Sequence, residues 1–207
     1  MDNFFFGGDS IILNGMFSTE QNMYIYLSSY YSREQYLENN NSDNILPLTI
    51  DNIDGLTIKG DITCNWLLLS EGIITTNDDS LKFINNELSH LDIYNGWVNG
   101  KVTCIFDETS NYNSFTFPIG DSTNMYPVDI SFNDSQNSTQ WVTLQSKNEI
   151  HPNAEYPEQT LKRYWIVNMS EEAKTRQYNF ATKYNISDYN TYLTRDKDVN
   201  TMLFAIL

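Results

Sequence analysis

The sequence predicts an all-β protein, an antiparallel β-sandwich of jelly-roll or immunoglobulin-like type behind a smaller, β-rich, solenoid-like N-terminal part. Three observations predict it. Aromatic residues make up 14% of the 207 residues, with 14 Tyr and 11 Phe, and such side chains suit half-buried pleated surfaces. Short apolar runs recur at close intervals, separated by Gly, Asn and Asp, the spacing of sandwiches, barrels and β-solenoids. Helix signals are confined to two short stretches. The expected division is residues 1–94 for the solenoid-like part and 95–207 for the sandwich.

Taken in order, residues 4–30 read as strands. Ile11-Ile12-Leu13 follows Gly7-Gly8, and Asn14-Gly15 is a hairpin-turn signal. Met23-Tyr24-Ile25-Tyr26-Leu27 is a second β-prone run. Ser32-Arg33-Glu34-Gln35 matches the capping box and predicts a short helix over Arg33 to Leu37. Asn39 to Asn44 is a polar loop. Strands are then expected near Leu46–Ile50, Leu56–Ile58, Ile62–Leu69, Ile73–Thr76 and Leu81–Ile84, punctuated by Gly55, Gly60 and Gly72. After Asn95-Gly96 come Trp97-Val98, Val102–Phe106, Ser114–Pro118, Val128–Phe132, Gln140–Gln145, Arg163–Val167, Tyr178–Tyr184 and Met202–Leu207. Glu171–Arg176 has local helix character. Gly60-Asp61-Ile62-Thr63-Cys64-Asn65-Trp66 is echoed by Gly100-Lys101-Val102-Thr103-Cys104-Ile105-Phe106. This is either a repeated β unit of the stacking kind or two strands of similar pattern.

Composition restricts function. The formal net charge is −15, from 12 basic and 27 acidic residues. Such a chain repels phosphate, so neither a nucleic-acid partner nor an anionic membrane surface is expected. No apolar run reaches the length of a membrane span, so no membrane insertion is expected. MDNFFFGGDS at the N-terminus has an acid where a secretory signal has basic residues. Cys64 and Cys104 are too few for a disulfide framework and lack zinc spacing, so both are expected as buried free thiols.

No constellation in the sequence indicates an enzyme, and no cofactor or metal is expected. The only two histidines, His90 and His151, lie in no nucleophile motif. Glu171-Glu172 reads as a solvated turn, not as a glycosidase pair. Asn77-Asp78-Asp79 and Asp121-Ser122-Thr123-Asn124 carry oxygen ligands of the kind calcium takes, but neither follows the EF-hand loop. Turns favour Asn and Asp for their own backbone hydrogen bonds. Trp97, Tyr126 and Trp141 either pack the core or stack on sugars. Phe117-Pro118-Ile119-Gly120-Asp121 reads as a strand ending in a structural corner.

Residues 55–130 carry a further pattern: Leu67 to Thr76 as a solenoid-like turn, then Trp97-Val98-Asn99-Gly100-Lys101-Val102, then Phe117-Pro118-Ile119-Gly120-Asp121, then Tyr126-Pro127-Val128. Arg163-Tyr164-Trp165-Ile166-Val167 follows later. In order and spacing these pieces resemble the β-solenoid and β-sandwich module of large secreted surface proteins of Bacteroidota. That resemblance implies a structural or adhesive role and brings no catalytic residues. Family members usually carry an export signal and a C-terminal sorting domain, and this chain shows neither pattern. The resemblance therefore implies a virion protein of a phage infecting such bacteria, of the crAss-like kind. The expected role is a non-enzymatic subunit of an extracellular assembly, a head or tail appendage or decoration protein, with other protein subunits as partners in a homo- or hetero-oligomer. The alternative is a secreted cell-surface adhesin or carbohydrate-binding module with a glycan as ligand.

Overall fold

In the computed structural model the described residues are 3–16, 24–28, 33–85, 89–108, 112–134, 137–157 and 160–183. The described residues are all-β apart from one short helix, with a solenoid-like region of about four turns. On one face, β1 (Asn3–Phe6), β3 (Tyr24–Ser28), β5 (Ile45–Asp51), residues 66–71 of β7 (Ile62–Asn85) and residues 90–95 of β8 (His90–Phe106) stack in parallel. On a second face the stack is β2 (Ser10–Leu13), β4 (Gln35–Asn39), β6 (Leu56–Lys59), residues 74–75 of β7 and residues 98–99 of β8. A third face pairs residues 80–85 of β7 with residues 101–106 of β8.

Stacking follows from side-chain alternation. Ile25, Leu48 and Leu67 are register partners pointing inward, as are Leu27, Ile50 and Leu69, and all six are essentially inaccessible. Each turn buries the apolar row of the turn before it, which is how a short repeat acquires a core it could not build alone.

The corners are made by Gly, Asn and Gln. Gly72 has φ +97°, and a Cβ there would lie 1.8 Å from the Asn52 carbonyl oxygen, so only glycine lets the corners stack this closely. Asn52 is fully buried, and its side-chain amide donates to Gln35 Oε1 and to the carbonyls of Gly55 and Arg33. Gln35 in turn donates to the carbonyls of Phe6 and Gly8. A second chain of amides runs through Asn44, which donates to Gly15 O and Asn39 Oδ1, and Asn39, which donates to Asp61 O. These side chains satisfy the backbone carbonyls that corners would otherwise bury unpaired.

Beyond the solenoid the pairing turns antiparallel. β11 (Gln140–Lys147) extends the third face from β8, and β12 (Tyr164–Met169) pairs with β11. A separate three-stranded sheet runs in the order β13 (Tyr178–Thr182), β10 (Val128–Phe132), β9 (Ser114–Phe117). Phe83 meets Phe115 at 5.2 Å and Phe106 meets Phe132 at 5.3 Å between ring centroids, joining this sheet to the solenoid's third face. The short helix α1 (Glu171–Lys174) lies within the expected Glu171–Arg176 stretch and is capped by Ser170, whose side chain accepts from Ala173 N.

Several expectations are corrected. Among the described residues seven of the eleven strand pairings are parallel, so that part of the protein is not mainly antiparallel. The helix expected over Arg33 to Leu37 is instead occupied largely by β4, because alternate burial of Gln35, Leu37 and Asn39 suits a strand between β2 and β6. Asn14-Gly15 makes no hairpin between β2 and β3: β2 pairs with β4, and β3 with β1 and β5. The expected boundary at residues 94 and 95 falls inside β8. The strand expected at Met202–Leu207 lies outside the described residues.

The echo between Gly60–Cys64 and Gly100–Cys104 is a repeat of position. Residues 101–104 pair with residues 80–83. Residues 61–64 lie on the other side of that segment: Asp61 accepts from Ser80 N and ion-pairs with Lys82 at 2.6 Å, and Cys64 Sγ donates to Lys82 O. The two copies thus occupy the same corner two turns apart.

Candidate functional site

The motif pieces after residue 96 converge on one buried tie. After β9, Pro118 and Gly120 bridge to Val98 of β8 through Val98 N–H to Pro118 O and Gly120 N–H to Val98 O. The chain then turns at Asp121. Its Oδ1 accepts from Thr123 N, Thr123 Oγ1 and Asn124 N, an Asx-type turn. Its Oδ2 accepts from Arg163 Nη2 at 2.7 Å, with the Arg163 side chain 1% exposed. The Arg163 guanidinium lies 3.4 Å from the centroid of the Tyr126 ring, a cation–π contact. Trp97 Nε1 donates to Asp121 O at 2.7 Å, and Ser146 Oγ donates to Gly120 O at 2.6 Å.

Burial raises the Asp121 carboxyl, but the Arg163 guanidinium and the backbone N–H groups of Thr123 and Asn124 outweigh it and hold the pKa below the usual carboxylate range. The Asp121 carboxylate and the Trp97 N–H are both engaged by protein groups. The tie therefore works as a structural corner, joining β8, β9, β11 and the approach to β12, as the sequence predicts for Phe117–Asp121.

A surface depression is the second feature. It is lined by Trp141, Asn168, Ser170, Glu171, Glu172 and Lys174, among others. Trp141 is 41% exposed and lies beside the acidic first turn of α1. An exposed indole flanked by carboxylate and amide groups is chemistry that sugars use. Of the three aromatic candidates, only Trp141 is open. Tyr126 is 2% exposed and Trp97 is half-buried.

The other candidates are dispersed. His90 Nε2 lies 2.6 Å from Asp92 Oδ2 and its ring stacks on Trp66 at 4.1 Å, on the outer side of the first face. His151 meets the edge of Tyr164. Glu171 pairs with Lys174. Asp79 accepts from Gly60 N, and Asp121 is taken by Arg163, so these turn carboxylates serve the backbone and one cation. Among the described residues no three His, Cys, Asp or Glu side chains gather as a metal site requires. Among the same residues no helix is long and apolar enough to cross a membrane. Cys64 and Cys104 are buried free thiols, and burial pushes both thiol pKa values up, away from reactivity. On the outer first face, the Tyr26 hydroxyl donates to Asp51 Oδ2 at 2.6 Å; that bond and burial push its pKa up to about 12.

Sequence reasoning missed the buried amides Gln35, Asn39, Asn44 and Asn52, and the pairing of Asp121 with Arg163. The Asn-rich stretch 39–44 was the available signal for the amides. The ion pair joins residues 42 apart, and no local pattern announces it. Comparison with known proteins adds no relative: no family model matches the chain, and no curated protein or solved structure matches it.

Proposed function

We propose that the chain is a non-enzymatic structural subunit of an extracellular assembly, a phage virion component such as a head or tail appendage or decoration protein, with other protein subunits as partners. The observation that carries this reading is the open first turn of the solenoid. Among the described residues β1 pairs with β3 alone and β2 with β4 alone. Phe6, Ile11 and Leu13 pack on the core but are only partly buried. Open strand edges with apolar rows behind them pair with neighbours unless they are blunted. The two sheets joined by Phe83–Phe115 and Phe106–Phe132 support a sandwich-type, jelly-roll or immunoglobulin-like cap on that stack. Mass spectrometry of particles purified from the source culture tests the role. Stoichiometric copies of this chain are expected, and particles without it overturn the reading. In a reconstituted mixture, Ile11→Asp with Leu13→Asp should abolish assembly while leaving the monomer folded.

Trp141 favours a second reading, a carbohydrate-binding or adhesive module at the cell surface. Its exposed ring and polar neighbours fit sugar stacking. A glycan array with the isolated chain tests it. Selective binding lost in Trp141→Ala supports the module, and a blank array excludes it for the glycans displayed.

A further inference from the structure

The third face of the solenoid ends in an unblunted strand. Among the described residues β12 pairs with β11 alone. Ser170 N donates to Trp141 O, one step beyond the register pair of Val142 with Met169. Hydrogen bonding alternates along an antiparallel strand, so Asn168, Ile166 and Tyr164 also turn their backbone groups toward β11. Trp165, Val167 and Met169 therefore turn their N–H and C=O groups to the open edge. Such an edge is ordinarily blunted by charge, Pro or a bulge. From Tyr164 to Ser170 there is no charged residue, no Pro and no Gly, and the register with β11 runs without a shift. By contrast residues 90–95, which pair with β7 alone, carry Asp92.

We propose that this edge is a homodimer interface, in which β12 of a second copy pairs antiparallel with it about a twofold axis at Val167. The two sheets of β7, β8, β11 and β12 then run on as one. Three features select a second copy. The first is self-complementary register. With Val167 opposite its own counterpart, Trp165 stands opposite the second copy's Met169, and every edge-facing N–H meets an edge-facing C=O. The second is the apolar layer. Trp165 and Val167 pack on the core but are only half-buried, and this register sets them beside the second copy's Met169 and Val167, on the same side of the sheet. The third is charge. The net charge of −15 opposes self-association in general, but this strand brings none of it into contact. At each end the twofold axis sets the exposed Lys162 toward the second copy's Glu171 and Glu172, also exposed and opposite in sign. An isologous contact closes at two copies, so the edge is used up and does not propagate. The surface lies away from the first turn, and the inference is independent of the virion role.

Sedimentation velocity and hydrogen exchange on the isolated full chain test it. The expected species has twice the chain mass and falls to the chain mass on dilution. The amides of Trp165, Val167 and Met169 should be protected in the dimer and released as it dissociates. Ile166 is half-buried on the outer side of β12, where a lysine head reaches water. Ile166→Lys should weaken dimerisation a hundredfold or more while keeping the circular dichroism spectrum and urea midpoint of the monomer. The register has its own test. Ile166→Cys with Asn168→Cys, in a background of Cys64→Ala and Cys104→Ala, should link two copies on oxidation, because the two positions face each other across the axis. Ile166→Cys alone should not. A chain that stays monomeric at every concentration, edge amides that remain protected in the monomer, a dimer that survives Ile166→Lys, or a cysteine pair that gives no linked dimer would each overturn the proposal.

Discussion

The solenoid-like turns and the cap that follows solve the same problem with different chemistry. In both, the chain bends sharply and buries polar backbone groups at the bend. The first turns satisfy them with neutral amides, Gln35, Asn39, Asn44 and Asn52, aided by glycine corners, and carboxylates enter only at the later corner where Asp79 and Asp61 accept from Gly60 N and Ser80 N. The cap satisfies them with charge: Asp121 holds the turn and Arg163 neutralises it, while Arg176 donates to Asp134, just past β10, and to Gln140 of β11. A neutral amide is indifferent to pH and needs no counter-ion. A buried carboxylate binds more strongly, but only while it stays ionised and paired. The two regions should therefore respond differently to acid and to substitution.

The largest effect is expected at the glycine corner. Gly72→Ala puts a Cβ where the Asn52 carbonyl oxygen lies, in a backbone conformation that alanine resists. We expect a loss of about 4 kcal/mol or more, seen as a chain that no longer gives a cooperative denaturant transition. Unchanged stability would mean that the corners do not stack as described.

Next is the ion pair. Asp121→Ala leaves the Arg163 guanidinium buried without its carboxylate and should cost about 3–5 kcal/mol. Hydrogen exchange should localise the loosening to β9, β11 and β12. A double change of Asp121 and Arg163 to similar-sized neutral residues should recover part of the loss, and the cycle measures their coupling.

Removing one amide is milder. Asn52→Ala deletes donors to Gln35, Gly55 and Arg33 and should cost about 1–3 kcal/mol. A midpoint in urea within error of the unaltered protein would remove the amide chain as a stabilising device.

Acid distinguishes the two regions without mutation. The folded pKa of Asp121 is below its unfolded value, so its contribution is complete above the unfolded pKa of about 3.9. It is lost as pH falls through the lower, folded value. Below about pH 4, amides around Asp121 and Arg163 should exchange faster before those of β5 and β6 do. Simultaneous loss in both regions would show that the cap and the stack unfold as one unit. The smallest effect is expected for Cys64→Ala with Cys104→Ala: no disulfide is lost, only sulfur volume in a packed core. A cost of about 1–2 kcal/mol and a native circular dichroism spectrum should result.

Much of this was legible in the chain. The strands at Val128–Phe132 and Ser114–Phe117 follow from local apolar runs, and the helix at Glu171–Lys174 from the local helix character of Glu171–Arg176. The glycine punctuation at Gly55, Gly60 and Gly72 marks real corners. The Gly60 and Gly100 echo marks equivalent corners two turns apart. The capping box at Ser32–Gln35 misled because propensity is local, whereas the sheet positions on either side of β4 were already set by β2 and β6.

The sequence by itself determined that the chain is all-β, where most strands lie and which glycines turn it, because alternation, aromatic content and turn chemistry act over a few residues. Only the tertiary structure decided that the strands run in parallel, that Gln35 and Asn52 face inward, and that Asp121 meets Arg163. Strand direction depends on which segments become neighbours after a full turn of the chain. A polar side chain is buried only where a distant carbonyl or charge awaits it, and no window of adjacent residues contains that partner.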